Sequence, residues 1–316
     1  MQTLEFRAMS TSVLMAAEGH DWAVAGLQET RKFIEQCELR FSRFLPDSEL
    51  SQLNRSAGDW FSVSDDLMDM LVESLNYYKE TAGLFDPSIL PDLKRIGYDK
   101  SIDAIRADGT AIVETASPRE VRPALGEIEF DQRGRRVRLP RGVEIDLGGI
   151  AKGWIVLKAA ELLNSYAAIC AVSAGGDICF IGEPLDGSKW RVELEDPRNP
   201  SQSVAVLHVG QSAVVTSSVA KRTWNQNGRA RHHLIDPRTG EPAQTDWLSV
   251  TVIGPDILAA EVYAKTMLIG GEAEAARVAA RRPELAFITV DAQGKLFGSQ
   301  TSREYLNDFT YTYHQD

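Results

Sequence analysis

An α+β fold built on antiparallel sheet follows from three features of the sequence. Strand-like runs recur from residue 127 onward and mostly follow one another, helical periodicities are confined to a few segments, and strands and helices do not alternate regularly. Leu4 to Met9 and Val13 to Ala17 read as two short strands around the polar break Ser10-Thr11-Ser12. Leu27, Ile34, Cys37, Phe41 and Phe44 then recur at helical spacing between charged residues, predicting a long amphipathic helix that Pro46-Asp47-Ser48 breaks. Ser64 is a natural N-cap for a second helix, with Asp65 and Asp66 at the positive end of its dipole. Leu67, Leu71, Leu75 and Tyr78 are its expected buried stripe, and Gly83 its stop. Residues 99–126 show no clear period. Glu127 to Phe130 and Val137 to Leu139 flank a polar turn with Gly134, a hairpin pattern. Further strands are expected at Ala168–Val172, Ile178–Ile181, Trp190–Leu194, Val204–Val209, Ala213–Thr216, Leu248–Ile253 and Leu285–Val290, and helices at Ala151–Leu163, Leu258–Leu268 and Glu272–Arg281. No repeat, low-complexity tract or linker divides the chain, so residues 1–316 are expected to form a single domain.

Composition narrows the functional classes. The 43% hydrophobic and 25% charged residues are those of an ordinary globular protein. Forty-five Asp and Glu against 34 Lys and Arg give a net charge of −11, which argues against a nucleic-acid binder. No apolar run is long enough to span a bilayer. Met1-Gln2-Thr3-Leu4-Glu5-Phe6-Arg7 carries charges where a secretory signal needs an apolar stretch, so a cytoplasmic location is expected. Cys37, Cys170 and Cys179 have neither CxxC nor zinc-ligand spacing and are expected to be buried thiols.

Four segments have residues suited to chemistry. In Ile145-Asp146-Leu147-Gly148-Gly149-Ile150-Ala151-Lys152-Gly153, two glycines separate a strand-like run from a helix. Glycine admits close approach of a ligand to the backbone, a helix N-terminus offers free N–H groups to an anion, and Lys152 adds a positive charge in the first turn. The pattern is neither a Walker A loop nor GxGxxG, and such a turn taken alone is more often ordinary turn chemistry. Ser173-Ala174-Gly175-Gly176-Asp177 is a second glycine cluster, readable as a bulge or tight turn. Thr216-Ser217-Ser218 is followed by His232-His233-Leu234-Ile235-Asp236-Pro237-Arg238-Thr239-Gly240, where Pro237 to Gly240 is a turn that would hold two histidines at a strand end. A histidine so held near hydroxyls suits acid–base work. Glu261 and Lys265 lie at i and i+4 on one helix face, where an ordinary solvated ion pair is the simplest reading.

In order and spacing these segments resemble the ApbE-type flavin transferases, the FAD:protein FMN transferases, from about Met9 to Gly271. Phe41-Ser42-Arg43-Phe44 with Ser48-Glu49-Leu50-Ser51-Gln52-Leu53-Asn54 is similar to the family's first motif, and Gly83-Leu84-Phe85-Asp86-Pro87 to its GxFD segment. Ile145 to Gly153, Ala174 to Asp177, Thr216-Ser217 and His233 to Gly240 follow in register. The resemblance implies an ApbE-like, T-fold-related architecture with helices packed on antiparallel sheet and a flavin site between lobes. It implies cleavage of the FAD pyrophosphate with Mg²⁺, attachment of FMN through phosphate to a Thr or Ser of an acceptor protein, and release of AMP. Met9, Phe44, Leu84, Phe85, Asp86, Asp146, Lys152 and Ile235 would line the FAD site, and His233 would be the general base toward the acceptor hydroxyl. Gly149, through its carbonyl, and Glu261 would face the metal.

Three departures stand out. Met9-Ser10-Thr11 replaces Met-Gly-Thr, Phe44 replaces a tyrosine, and Glu261 and Lys265 replace the Asp and Thr that usually serve the ion. A protonated lysine cannot ligate Mg²⁺, and its charge partly replaces the ion's, so weak Mg²⁺ dependence is expected. A Mg²⁺-dependent FAD pyrophosphatase giving FMN and AMP, and a non-catalytic FAD-binding protein, are the alternative readings.

Overall fold

The structure, a computed structural model, describes residues 1–108 and 124–306. The chain divides into two compact units between which it passes four times: one comprises Met1–Glu35, Lys152–Lys221 and Thr245–Asp316, the other Gln36–Ala151 and Arg222–Gln244.

The first unit is organised by an eight-stranded sheet, antiparallel throughout. Its strand order is Gln2–Ala8, Thr11–Ala17, Cys170–Ala174, Asp177–Ile181, Ala213–Ser218, Trp247–Gly254, Ala286–Asp291 and Leu296–Gly298. The two expected N-terminal strands pair as a hairpin, but its turn is Met9-Ser10, with φ of 54° and 56°, and Thr11 and Ser12 of the expected break belong to the second strand. Two left-handed residues give the twist that strand pairs favour, but each side chain there costs about 1–2 kcal/mol. The next hairpin avoids that cost. Ala174 pairs with Asp177 across Gly175 and Gly176, with φ of 61° and 94°. The second glycine cluster is therefore a hairpin turn that makes Asp177 the first residue of a strand.

Alternation assigns the two faces of this sheet. Ala171, Val214, Ile253, Ala286 and Ile288 are buried in one core with Val192, Leu194, Ala205, Leu207 and Val209 from the hairpin Trp190–Asp196/Asn199–Val209. The helix Ile257–Arg281 packs on strands Ala213–Ser218 and Trp247–Gly254. Gly271, at φ 66° and ψ −156°, interrupts it, in keeping with the two successive helices expected there. The expected helix at Ala151 runs to Asn164.

In the second unit Ser64 caps the helix Asp65–Glu80 by accepting from Leu67 N–H. Its buried face differs from the expected one: Leu67, Met68, Met70, Leu71, Ser74 and Tyr77 are buried, while Leu75 and Tyr78 are only half-buried. The first long helix ends at Phe41, so Phe44 lies beyond it. The residues read as its break also start another helix: Ser48 caps Glu49–Arg55. Strands Trp60–Ser62, Arg136–Arg138 and Glu129–Asp131 form a small sheet that contains the expected hairpin. The aperiodic stretch 99–126 falls partly outside the described residues; the rest holds the helix Ile102–Asp108 and a 3-10 turn at Leu125–Glu127.

The three cysteines are buried thiols, as expected. Burial pushes Cys37 and Cys170 up to about 12 and Cys179 up to about 11, which keeps the nucleophilic thiolate unpopulated. Among the described residues no helix is long and apolar enough to cross a membrane.

Candidate functional site

In the second unit four of the candidate residues, Phe44, Asp146, His233 and Ile235, lie at an aromatic cluster or are joined to it through Arg43. Leu93, Ile96, Tyr98, Ile102, Trp224 and Ile235 are buried together, with Phe44 against them. Tyr98 stacks on Trp224 at 5.1 Å between centroids, and the Trp224 indole N–H donates to Ile96 O at 2.9 Å. Phe44 meets Tyr98 edge-on at 5.8 Å, and His233 does so at 6.4 Å. The Arg43 guanidinium carbon lies 4.1 Å from the Phe44 ring centre and 4.7 Å from that of Tyr98, and Arg43 Nε is 3.5 Å from Asp146 Oδ1. The same Asp146 oxygen accepts from Gly148 N–H at 3.0 Å, which fixes the carboxylate at the glycine turn.

The two histidines differ. His232 closes the strand Arg229–His232, and its Nε2 lies 3.1 Å from Ala243 O. Burial holds its pKa below the usual histidine value, opposed by that bond to Ala243. His233 follows in the connection to Ile235–Asp236, which pairs with Glu241–Pro242 across a tight turn. Asp236 O accepts from Gly240 N–H at 2.8 Å, with Gly240 at φ 72°, so Pro237 to Gly240 is the turn the sequence indicates. Arg95 donates to Glu241 at 2.7 Å and to Gly240 O at 2.6 Å, and Arg231 donates to Glu241 at 2.7 Å, anchoring that turn to the helix Leu90–Arg95.

The His232 environment sets a pH dependence. A histidine whose folded pKa is depressed contributes stability above its unfolded pKa, about 6.5, and loses it as pH falls toward the folded value. Between pH 7 and pH 5, wild type is therefore expected to lose more thermal stability than His232→Gln. Parallel Tm-against-pH curves from scanning calorimetry would contradict this.

Asp86 caps the 3-10 helix Pro87–Ile89, accepting from Ser88 N–H at 2.8 Å and Ser88 Oγ at 2.6 Å. Leu84 and Phe85 are buried, the Phe85 ring edge-on to Tyr77 at 6.5 Å. Gly149 lies in the turn that precedes the helix Ala151–Asn164.

The first unit holds Met9 and a separate cluster of charges. Lys152 pairs with Asp177, whose carboxylate is only 1% exposed. Glu261, 2% exposed, accepts from Gly153 N–H through Oε2 at 2.7 Å, so it serves one of the unpaired donors at the start of that helix. A Cβ on Gly153 would come 2.7 Å from the same oxygen, so a side chain there would have to displace the Glu261 carboxylate. Burial pushes the Glu261 carboxyl up; the lysines Lys265 and Lys152 oppose this and Asp177 adds to it. Glu261 and Lys265 thus interact as expected of i and i+4, but at a buried carboxylate rather than on a solvated face. Thr216 of the hydroxyl segment is engaged across the sheet, its Oγ1 2.9 Å from that of Thr251.

Of the expected site residues, Phe44, Leu84, Phe85, Asp86, Asp146, Gly149, His233 and Ile235 belong to the second unit and Met9, Lys152 and Glu261 to the first. Residue-by-residue reading of the sequence did not single out Arg43, Tyr98, Trp224 or Asp177 as site residues. Asp177 had a signal, an acid directly after two glycines; the aromatic cluster had none.

Antiparallel sheet with this helix arrangement is a fold seen in flavin transferases. The ApbE protein of Thermotoga maritima superposes with a TM-score of 0.82 at 23% identity, over 97% of this chain and 99% of its own. The flavin transferase ApbE of Vibrio cholerae does so with a TM-score of 0.75 at 22% identity, over 96% and 99%. The profile of the ApbE family matches residues 9–289, and the chain belongs to that family. Among relatives, the FAD:protein FMN transferase of Treponema pallidum (strain Nichols) is 31% identical over 280 residues, covering 81% of this chain and 73% of its own. That of Vibrio cholerae serotype O1 is 27% identical over 284 residues, covering 88% and 84%.

Proposed function

We propose that this chain is an FAD:protein FMN transferase, with FAD as its substrate and a protein bearing a Thr or Ser as its acceptor. The observation that carries the reading is the similarity to the Treponema pallidum transferase over 81% of the chain. In the proposed reaction His233 accepts the proton of the acceptor hydroxyl as its oxygen attacks the phosphorus on the FMN side of the pyrophosphate. An ester bond forms between the acceptor and FMN, the pyrophosphate P–O bond breaks, and AMP leaves. Met9, Phe44, Leu84, Phe85, Asp86, Asp146, Lys152 and Ile235 are the proposed FAD residues. Lys152 supplies the positive charge that phosphate oxygens need as charge moves to AMP. All of residues 1–316 are proposed to act as one functional domain, supported by the chain's repeated passage between its two units. A cytoplasmic location is part of the proposal, in keeping with three cysteines kept as thiols; recovery of the native protein mainly in a periplasmic or membrane fraction would reject it. The activity is tested by incubating the protein with FAD and candidate acceptors. A fluorescent acceptor band in a denaturing gel is expected; dark bands beside intact FAD would reject the reading.

Mg²⁺ fits this chain poorly. Among the described residues no group of three or more His, Cys, Asp or Glu could hold a metal ion. Gly149 and Glu261 together offer one carbonyl and one carboxylate, and Glu261 is already taken up by Gly153 N–H and by nearby lysine charge. A hard divalent ion prefers a shell of oxygen ligands with net negative charge. No step above depends on the ion. Calorimetric titration of Mg²⁺ into the FAD-loaded protein is expected to show weak binding that Lys265→Thr tightens. Tight binding by wild type, unchanged in Lys265→Thr, would contradict this.

A further inference from the structure

Arg43 contains the one guanidinium nitrogen among the described residues' buried unpaired atoms that also belongs to the aromatic cluster: its Nη2 is buried without a hydrogen-bond partner. The side chain is only 5% exposed. A buried donor left without an acceptor is costly, and water, an ion or a ligand can complete it. The charge itself is already accounted for, by Asp146 at 3.5 Å and by the faces of Phe44 and Tyr98. What is missing is an acceptor.

We propose that Arg43 is an FAD-binding residue whose Nη2 donates to an acceptor atom on the edge of one of the planar rings of FAD, an inference that rests on the function proposed above. Two observations favour a ring edge over a phosphate. The guanidinium is packed on the rings of Phe44 and Tyr98, and Tyr98 on Trp224, so Nη2 offers a ligand its in-plane edge, which matches the in-plane lone pairs of a heteroaromatic ring. A phosphate at Arg43 would bring its charge beside the Asp146 carboxylate, and like charges at that range repel. A neutral carbonyl or ring nitrogen meets no such opposition. Both the isoalloxazine and the adenine of FAD carry acceptors of this kind.

The test is equilibrium titration of wild type, Arg43→Lys and Arg43→Gln with FAD, FMN, riboflavin and ADP, with the Tm of each unliganded protein measured alongside. Both variants are expected to bind FAD about 10- to 100-fold more weakly, the effect of one charge-assisted hydrogen bond, with the loss confined to the ligands that share the contacted ring. Weakening shared by FMN and riboflavin but not ADP identifies the isoalloxazine; weakening of ADP alone identifies adenine. Either supports the proposal. Weakening of FMN and ADP with riboflavin spared would indicate a phosphate contact and overturn it. Unchanged affinity for all four, or equal weakening of all four with a lowered unliganded Tm, would also overturn it. Failure of wild type to bind FAD would instead defeat the functional reading on which the inference rests.

Discussion

His233→Ala is expected to slow FMN transfer by roughly 10²- to 10⁴-fold, the range a positioned general base contributes, while FAD affinity and Tm stay near wild type. The expectation rests on the contrast between neighbours. His232 is half-buried and turned to Ala243 O, and desolvation holds its pKa below the usual histidine value. His233 is half-buried, its ring edge-on to Tyr98, in a connection fixed by the Asp236–Gly240 turn and its Arg95 and Arg231 anchors. His232→Gln should accordingly leave transfer largely intact. Single-turnover transfer rates decide the matter, and equal losses in the two variants would remove His233 from the role of base.

Glu261→Ala is expected to destabilise the fold by about 3–5 kcal/mol, the cost of breaking a buried charge arrangement by removing one partner. It takes the acceptor from Gly153 N–H, vacates space in the interior, and removes the carboxylate with which Lys152 and Lys265 interact. Glu261→Gln keeps an acceptor oxygen and the volume. Because burial already pushes the Glu261 carboxyl up, the neutral amide should retain most of the stability. Denaturant unfolding of the three proteins measures this. An alanine variant as stable as wild type would show that the cluster holds nothing together.

The fold was legible where local chemistry and burial agree. The split between 258–268 and 272–281 could be read because Gly270-Gly271 interrupts a strongly apolar helix, and the structure places the break at Gly271. The sheet strands show because one or both faces are buried. The hairpin Thr223–Gln226/Arg229–His232 escaped because Trp224 is the one large apolar residue in its two strands, too little for an apolar alternation. Its turn, Asn227-Gly228 with φ of 50° and 79°, was nevertheless a recognisable hairpin signal. The helix Glu49–Arg55 escaped for a different reason: Ser48 serves as an N-cap, and N-caps and chain breaks use the same residues. In the candidate site, the glycine turns, the His233 turn and the Glu261–Lys265 face could be read because each is local. The stack of Tyr98 on Trp224, the insertion of Arg43 and the pairing of Lys152 with Asp177 could not, since tertiary packing joins positions far apart in sequence.

The most direct test of flavin transfer is where the two halves of FAD go. With FAD and a flavin-accepting protein, AMP released and FMN bound covalently to the acceptor, quantified together in one reaction, should rise in equal amounts, and both should require the acceptor's Thr or Ser hydroxyl. AMP accompanied by an equal amount of free FMN, with none on the acceptor, would make this chain a pyrophosphatase and contradict the account.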